Sequence, residues 1–191
     1  MKLKQLIALV LLTVSAASAQ TIDVNTTDPQ TGTRLILTKN HKGSKIEVDD
    51  TVAKTGLVFF SAGYQSNAAK GKTVETYFID LDMYHNDNKL GCVRQSDNNV
   101  QLTLEDGTEI QCFQMSETDC SHEAYKASFA LTSKKGTFED MEKNFKKLQT
   151  VAIAKIVVTT TEGALVYKIK HKDYVKAHFA LVAKTLNASV K

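Results

Sequence analysis

Two thiols and an imidazole stand within eleven residues in the stretch CFQMSETDCSH, Cys112 to His122. A second stretch, FIDLDMYHNDN, gathers Asp80, Asp82, His85 and Asp87. Residue types and spacing could support chemistry in both. Thiols with an imidazole can hold zinc, carry out redox exchange or act as a staple. Two carboxylates on one face of a strand can divide general acid and base work between them, or hold a hard cation.

The cysteines point to a staple. Zinc would need a fourth ligand and a closer pair of thiols than the seven intervening residues allow, and no C-x-x-C redox motif is present. Cys120 with His122 as its base is excluded within a single strand run, although a distant histidine could serve. A disulfide is therefore the leading reading. Cys112 with Cys120 is the preferred pairing and Cys92 with Cys112 the competitor, because connectivity is not deducible from spacing. The cysteine left over should behave as a small buried hydrophobe.

The acidic stretch has a plainer explanation. On a strand, Tyr77, Ile79, Leu81 and Met83 share one face, and Asp80 and Asp82 share the other, ~7 Å apart. The glycine of a calcium loop is missing, and a solvated polar face accounts for the alternation. Asp80, Asp82, His85 and Asp87 thus form a candidate site only in outline. His41, His171 and His178 stand alone and are expected to be surface or capping residues. No G-x-S-x-G, Walker, dinucleotide or H-E-x-x-H motif occurs, and neither a metal nor a cofactor is expected.

The N-terminus sets the compartment. Lys2 and Lys4 precede an apolar run from Leu6 to Val14, and Ala17-Ser18-Ala19 is a small-residue cleavage signature. That is a signal peptide over residues 1–19, too short for the ~20 residues of a membrane span. No second apolar run follows, so no membrane span is expected. The expected location is periplasmic or secreted, an oxidising setting that suits the disulfide. Residues 1–19 hold two lysines and no acid; without them the 24 basic and 21 acidic side chains leave a formal charge of +1. Interleaved signs and only two arginines, Arg34 and Arg94, argue against nucleic acid.

Residues 20–33 are polar, contain the single proline and read as a flexible lead-in. Residues 34–191 then suit one domain. TRLILTK and SKIEV flank NHKG as a candidate hairpin. GLVFFSAGY and TVETYFIDLDMYH read as strands separated by the polar loop QSNAAKGK. In NNVQLTLEDGTEIQCFQ, a two-residue turn at Asp106-Gly107 would oppose Leu104 to Glu109. A three-residue loop with left-handed Gly107 is preferred, pairing Leu104 with Ile110 and Leu102 with Cys112 and turning Cys112 inward.

Helices appear late. Phe138, Met141, Phe145 and Leu148 mark one helical face, with Thr137 and Asp140 as a capping box. A hairpin turning at Glu162-Gly163 follows, and then a second helix with Val175, Phe179, Val182 and Leu186 on one face and Asp173 as N-cap. Strands followed by mixed strands and helices give an α+β fold: a twisted antiparallel sheet of roughly seven to nine strands with two amphipathic helices packed on it.

The LEDGTEI hairpin, the FEDMEKNFKKL helix, the IVVTTTEGALVYKI hairpin and the final helix, over about residues 95 to 188, give the chain an architecture that resembles a loose group of small exported proteins of unknown function from Bacteroidetes-type bacteria. The resemblance carries no catalytic residue. The expected function is a non-catalytic exported module that binds a protein or a glycan. The alternatives are a small secreted hydrolase working through Asp80 and Asp82, and a secreted inhibitor-type protein.

Overall fold

A computed structural model describes residues 20–39, 46–48, 56–69, 72–85, 91–116 apart from 96 and 98, 124–169, and 172–188. It is α+β. Among the described residues ten strands run in chain order as β1 (Ile22–Thr27), β2 (Arg34–Thr38), β3 (Ile46–Val48), β4 (Gly56–Ala69), β5 (Lys72–His85), β6 (Val100–Leu104), β7 (Glu109–Gln114), β8 (Ala124–Ala130), β9 (Ile153–Thr160) and β10 (Gly163–Ile169). Helix α1 (Phe138–Leu148) follows β8, and α2 (Lys172–Ala188) follows β10. The strands form one antiparallel sheet in the order β1-β2-β4-β5-β8-β7-β6-β9-β10-β3.

The sheet is strongly curled around α2. This helix lies against β2 and β4 and also against β9, far along the strand order, and β3 at the far end returns to β4. Only a curled sheet can bring those strands to one helix. Its inner face supplies Phe60, Ile79, Leu81, Leu102, Ile156 and Tyr167, all fully buried, to a core shared with both helices.

Each helix forms for reasons visible in its residues. Thr137 caps α1 by accepting from Asp140 N, while the Asp140 carboxylate accepts from Thr137 N, so two otherwise unpaired amides are satisfied. Met141, Phe145 and Leu148 face inward. Phe138, expected on the same stripe, is 42% exposed. On α2, Val175, Phe179 and Val182 are buried and Leu186 is partly buried. Asp173 lies inside the first turn of α2, bonded to Lys176, rather than at the N-cap.

Several local expectations change. Residues 22–27, read as flexible lead-in, form edge strand β1 paired to β2. β2 and β3 make no hairpin: β2 pairs with β1 and β4, and β3 with β10. Residues 65–69, read as loop, continue β4, which pairs with β5 without a break from Gly56↔His85 to Ala69↔Lys72. The β6–β7 loop is three residues with Gly107 at φ +83° and Leu104 N donating to Thr108 O, but it sits one residue earlier than expected, so that Leu102 faces Ile110 and Val100 faces Cys112. A two-residue shift keeps side chains on their faces, and Cys112 is fully buried. The last hairpin turns at Thr161-Glu162, one residue earlier than expected.

Candidate functional site

The acid pair is built into the outer face of the sheet. Asp80 on β5 lies between Ser61 of β4 and Ser128 of β8, and Asp82 between Phe59 and Lys126. The Ser128 hydroxyl donates to Asp80 Oδ1 at 2.5 Å. Lys126 Nζ stands 3.7 Å from Asp80 Oδ2 and 3.8 Å from Asp82 Oδ1, bridging the two carboxylates. Asp80 is only 5% exposed, so the solvated face expected for it is wrong. Burial pushes its carboxyl above the ordinary range, with the neighbouring Asp82 charge adding to that, while Ser128 and Lys126 pull it back. His85 ends β5 opposite Gly56, and Asp87 lies outside the described residues. The four residues expected to gather are therefore represented by the two aspartates, both already engaged.

Of the cysteines, Cys112 is a free, fully buried thiol, which overturns its expected bond to Cys120. The sheet pairs Val100 with Cys112 and turns the thiol into the core. Burial raises its proton affinity far above the usual thiol value. Cys92, expected to be the one left over, is the disulfide-bonded cysteine. Its backbone is tied to the β9–β10 turn, Cys92 N donating to Thr161 Oγ1 and Thr161 N to Cys92 O, both at 3.0 Å. Cys120 and His122 lie outside the described residues. Among the described residues no three of His, Cys, Asp and Glu converge as a metal site would need.

His178 is the residue sequence reasoning misplaced most. It is fully buried, with Nδ1 2.7 Å from Thr38 Oγ1 and its ring edge-on to Phe60 and Tyr174 at 5.6 and 5.2 Å. Thr38 Oγ1 also accepts from Ala62 N at 2.9 Å, so the pair fastens α2 to β2 and β4. The signal was available: position 178 follows Val175 by three and precedes Val182 by four, on the apolar stripe. His41 and His171 lie outside the described residues.

An open cleft of about 430 Å³ lies where α1 and the end of α2 meet β2, β4 and β5. Its size is within the range of small-ligand sites. Tyr64, Tyr77 and Phe145 form the floor, with Tyr77 stacked on Phe145 at 4.2 Å and tilted against Tyr64 at 5.3 Å. Ala183 and Leu186 of α2 add apolar surface. Two cations, Arg34 and Lys146, and two carboxylates, Glu75 and Glu142, line the same cleft. Tyr64 donates to Glu75 Oε1 at 2.5 Å, and Lys146 pairs with Glu142 at 2.8 Å. Burial raises both tyrosine hydroxyls, Tyr77 to about 12 with help from Glu75, so both remain protonated donors at neutral pH. None of the lining residues belonged to either constellation singled out from the sequence. They come from five separate elements and share no single linear spacing.

No family model, curated protein or solved structure matches this chain. Among the described residues no helix is long and apolar enough to cross a membrane.

Proposed function

We propose that this protein is an exported, non-catalytic binding module, periplasmic or secreted, that holds a neutral glycan segment in the cleft between α1, α2 and the β2-β4-β5 end of the sheet. The carrying observation is the makeup of that cleft: two cations and two carboxylates around an aromatic and aliphatic floor. Paired charges neutralise one another, so a net charge on the ligand gains little there. Sugar hydroxyls both donate and accept, and can bond to each member of such a pair while the C–H face of the ring rests on apolar surface.

Export is supported by the charged, apolar and small-residue segments at the N-terminus and by a bonded Cys92, which suits an oxidising compartment. The hydrolase alternative loses ground because Ser128 and Lys126 already engage its carboxylates. Backbone amide shifts during titration with neutral mono- and disaccharides, with hexuronates and with tripeptides test the proposal. Neutral sugars are expected to move the signals of Tyr64, Glu75, Phe145 and Ala183. Shifts there from tripeptides alone would keep the cleft and replace the ligand class. Shifts centred on Asp80 and Asp82 would overturn the proposal.

A further inference from the structure

We propose that the mature chain carries a pyroglutamate at Gln20. The proposal rests on the export reading, because only a cut after Ala19 gives Gln20 a free α-amine. The reaction is internal to the residue. The α-amine nitrogen attacks Cδ of its own side-chain amide, the new N–Cδ bond closes a five-membered lactam, and the Cδ–Nε2 bond breaks. Ammonia leaves with the proton that the amine gives up, and nothing is oxidised or reduced.

The fold places this residue where a neutral end is favoured. Gln20 is half-buried and its Nε2 donates to the carbonyl of Tyr174 in the first turn of α2, at 3.1 Å. The chain is held from the next residue onward: Thr21 O accepts from Lys39 N at 2.7 Å, and β1 begins at Ile22. Residue 20 therefore lies against the N-terminal end of a 17-residue helix. That end of the helix dipole is positive, and an ammonium is disfavoured beside it. Lys172 and Lys176 stand on the same turn, and the nearby carboxylates are already engaged, Asp173 with Lys176 and Glu105 with Lys172, each at 2.8 Å. With both carboxylates already paired to lysines, a free amine on Gln20 would face the positive end of the helix without a counter-charge from them, whereas a lactam carries no charge. Closure removes the Nε2 donor to the Tyr174 carbonyl, and the lactam keeps one N–H, on the former α-nitrogen.

The test uses the full chain with its own N-terminus, produced in an exporting bacterial host. Intact mass and stepwise N-terminal degradation are recorded before and after treatment with a pyroglutamyl aminopeptidase. The expected product is lighter than residues 20–191 by one ammonia and blocked to degradation until the enzyme is added. A chain that starts at Gln20 and keeps its free amine after prolonged incubation in neutral buffer overturns the lactam while leaving export intact. A chain that retains residues 1–19, or starts elsewhere, overturns both. The Gln20→Ala variant keeps the Ala-Ser-Ala site and is expected to be exported and unblocked; an equally blocked variant would also overturn the proposal.

Discussion

Truncating Phe179 to alanine should be among the most damaging single changes to this protein. The ring is fully buried on α2 and meets Phe60 of β4 and Phe145 of α1 edge-on, at centroid distances of 5.7 and 6.3 Å. Core Phe→Ala changes cost about 3–5 kcal/mol, a total that already includes edge-to-face pairs of ~0.5–1.5 kcal/mol each. The upper half of that range is expected here, because α2 is held by strands from both parts of the curled sheet and the site has little freedom to collapse. Against the ~5–15 kcal/mol of an ordinary domain this is a large share. Urea titration should show a lower midpoint with an unchanged slope. Phe138→Ala is the internal control: its ring is 42% exposed, and its loss should cost under about 1 kcal/mol. Equal small shifts for the two variants would refute the packing of α2 inside the sheet.

Gly63→Ala drives a Cβ into the Phe78 ring that covers this glycine, and should destabilise by ~1–3 kcal/mol. The cost should shrink when Phe78 is also truncated, and a double-mutant cycle showing simple additivity would contradict the contact. Asp80 has a folded-state proton affinity raised above its unfolded value, so its contribution to stability is greatest in acid and falls as pH rises through the raised value. Asp80→Asn is accordingly expected to be more stable than the parent at neutral pH, with the advantage fading near pH ~3 in parallel urea titrations. Destabilisation at neutral pH would mean that the Lys126 bridge outweighs burial. The chain has three cysteines, Cys112 is free and Cys92 is bonded, so peptide mapping without reduction should find Cys92 joined to Cys120. Cys112 should resist alkylation until the protein is unfolded; a Cys112–Cys120 peptide would sink this assignment.

What could be read from the sequence was local. The α1 cap, the apolar stripes of both helices and the Gly107 loop each depend on residues within a few positions of one another, and each appears in the structure. What could not be read depends on distant pairing. β1 is an edge strand with little to bury, so IDVNTT carries no apolar alternation beyond Ile22 and Val24. β4 and β5 extend into small polar residues because each satisfies the other's backbone, which composition does not reveal. β3 joins β10 across the chain, so its hairpin with β2 was a local guess defeated by topology. Asp80 alternates with core residues as a solvated residue would, but neighbours on β4 and β8 leave it buried. The cleft was invisible for a similar reason, since Arg34, Tyr64, Glu142 and Ala183 meet only once the sheet has curled around α2.

The most direct test of the proposed binding role is calorimetric titration of the parent protein and of Ala183→Trp with the neutral saccharide that gives the largest amide shifts. Ala183 is partly exposed on the wall of the cleft, and an indole there would fill the space from one side. Asn187→Trp, at the exposed mouth, does the same without touching the core. The expected result is saturable heat for the parent and a loss of at least about tenfold in affinity, or ~1.4 kcal/mol, for both variants at unchanged thermal midpoints. Equal affinity in the parent and in both folded variants would place the ligand elsewhere and contradict the account.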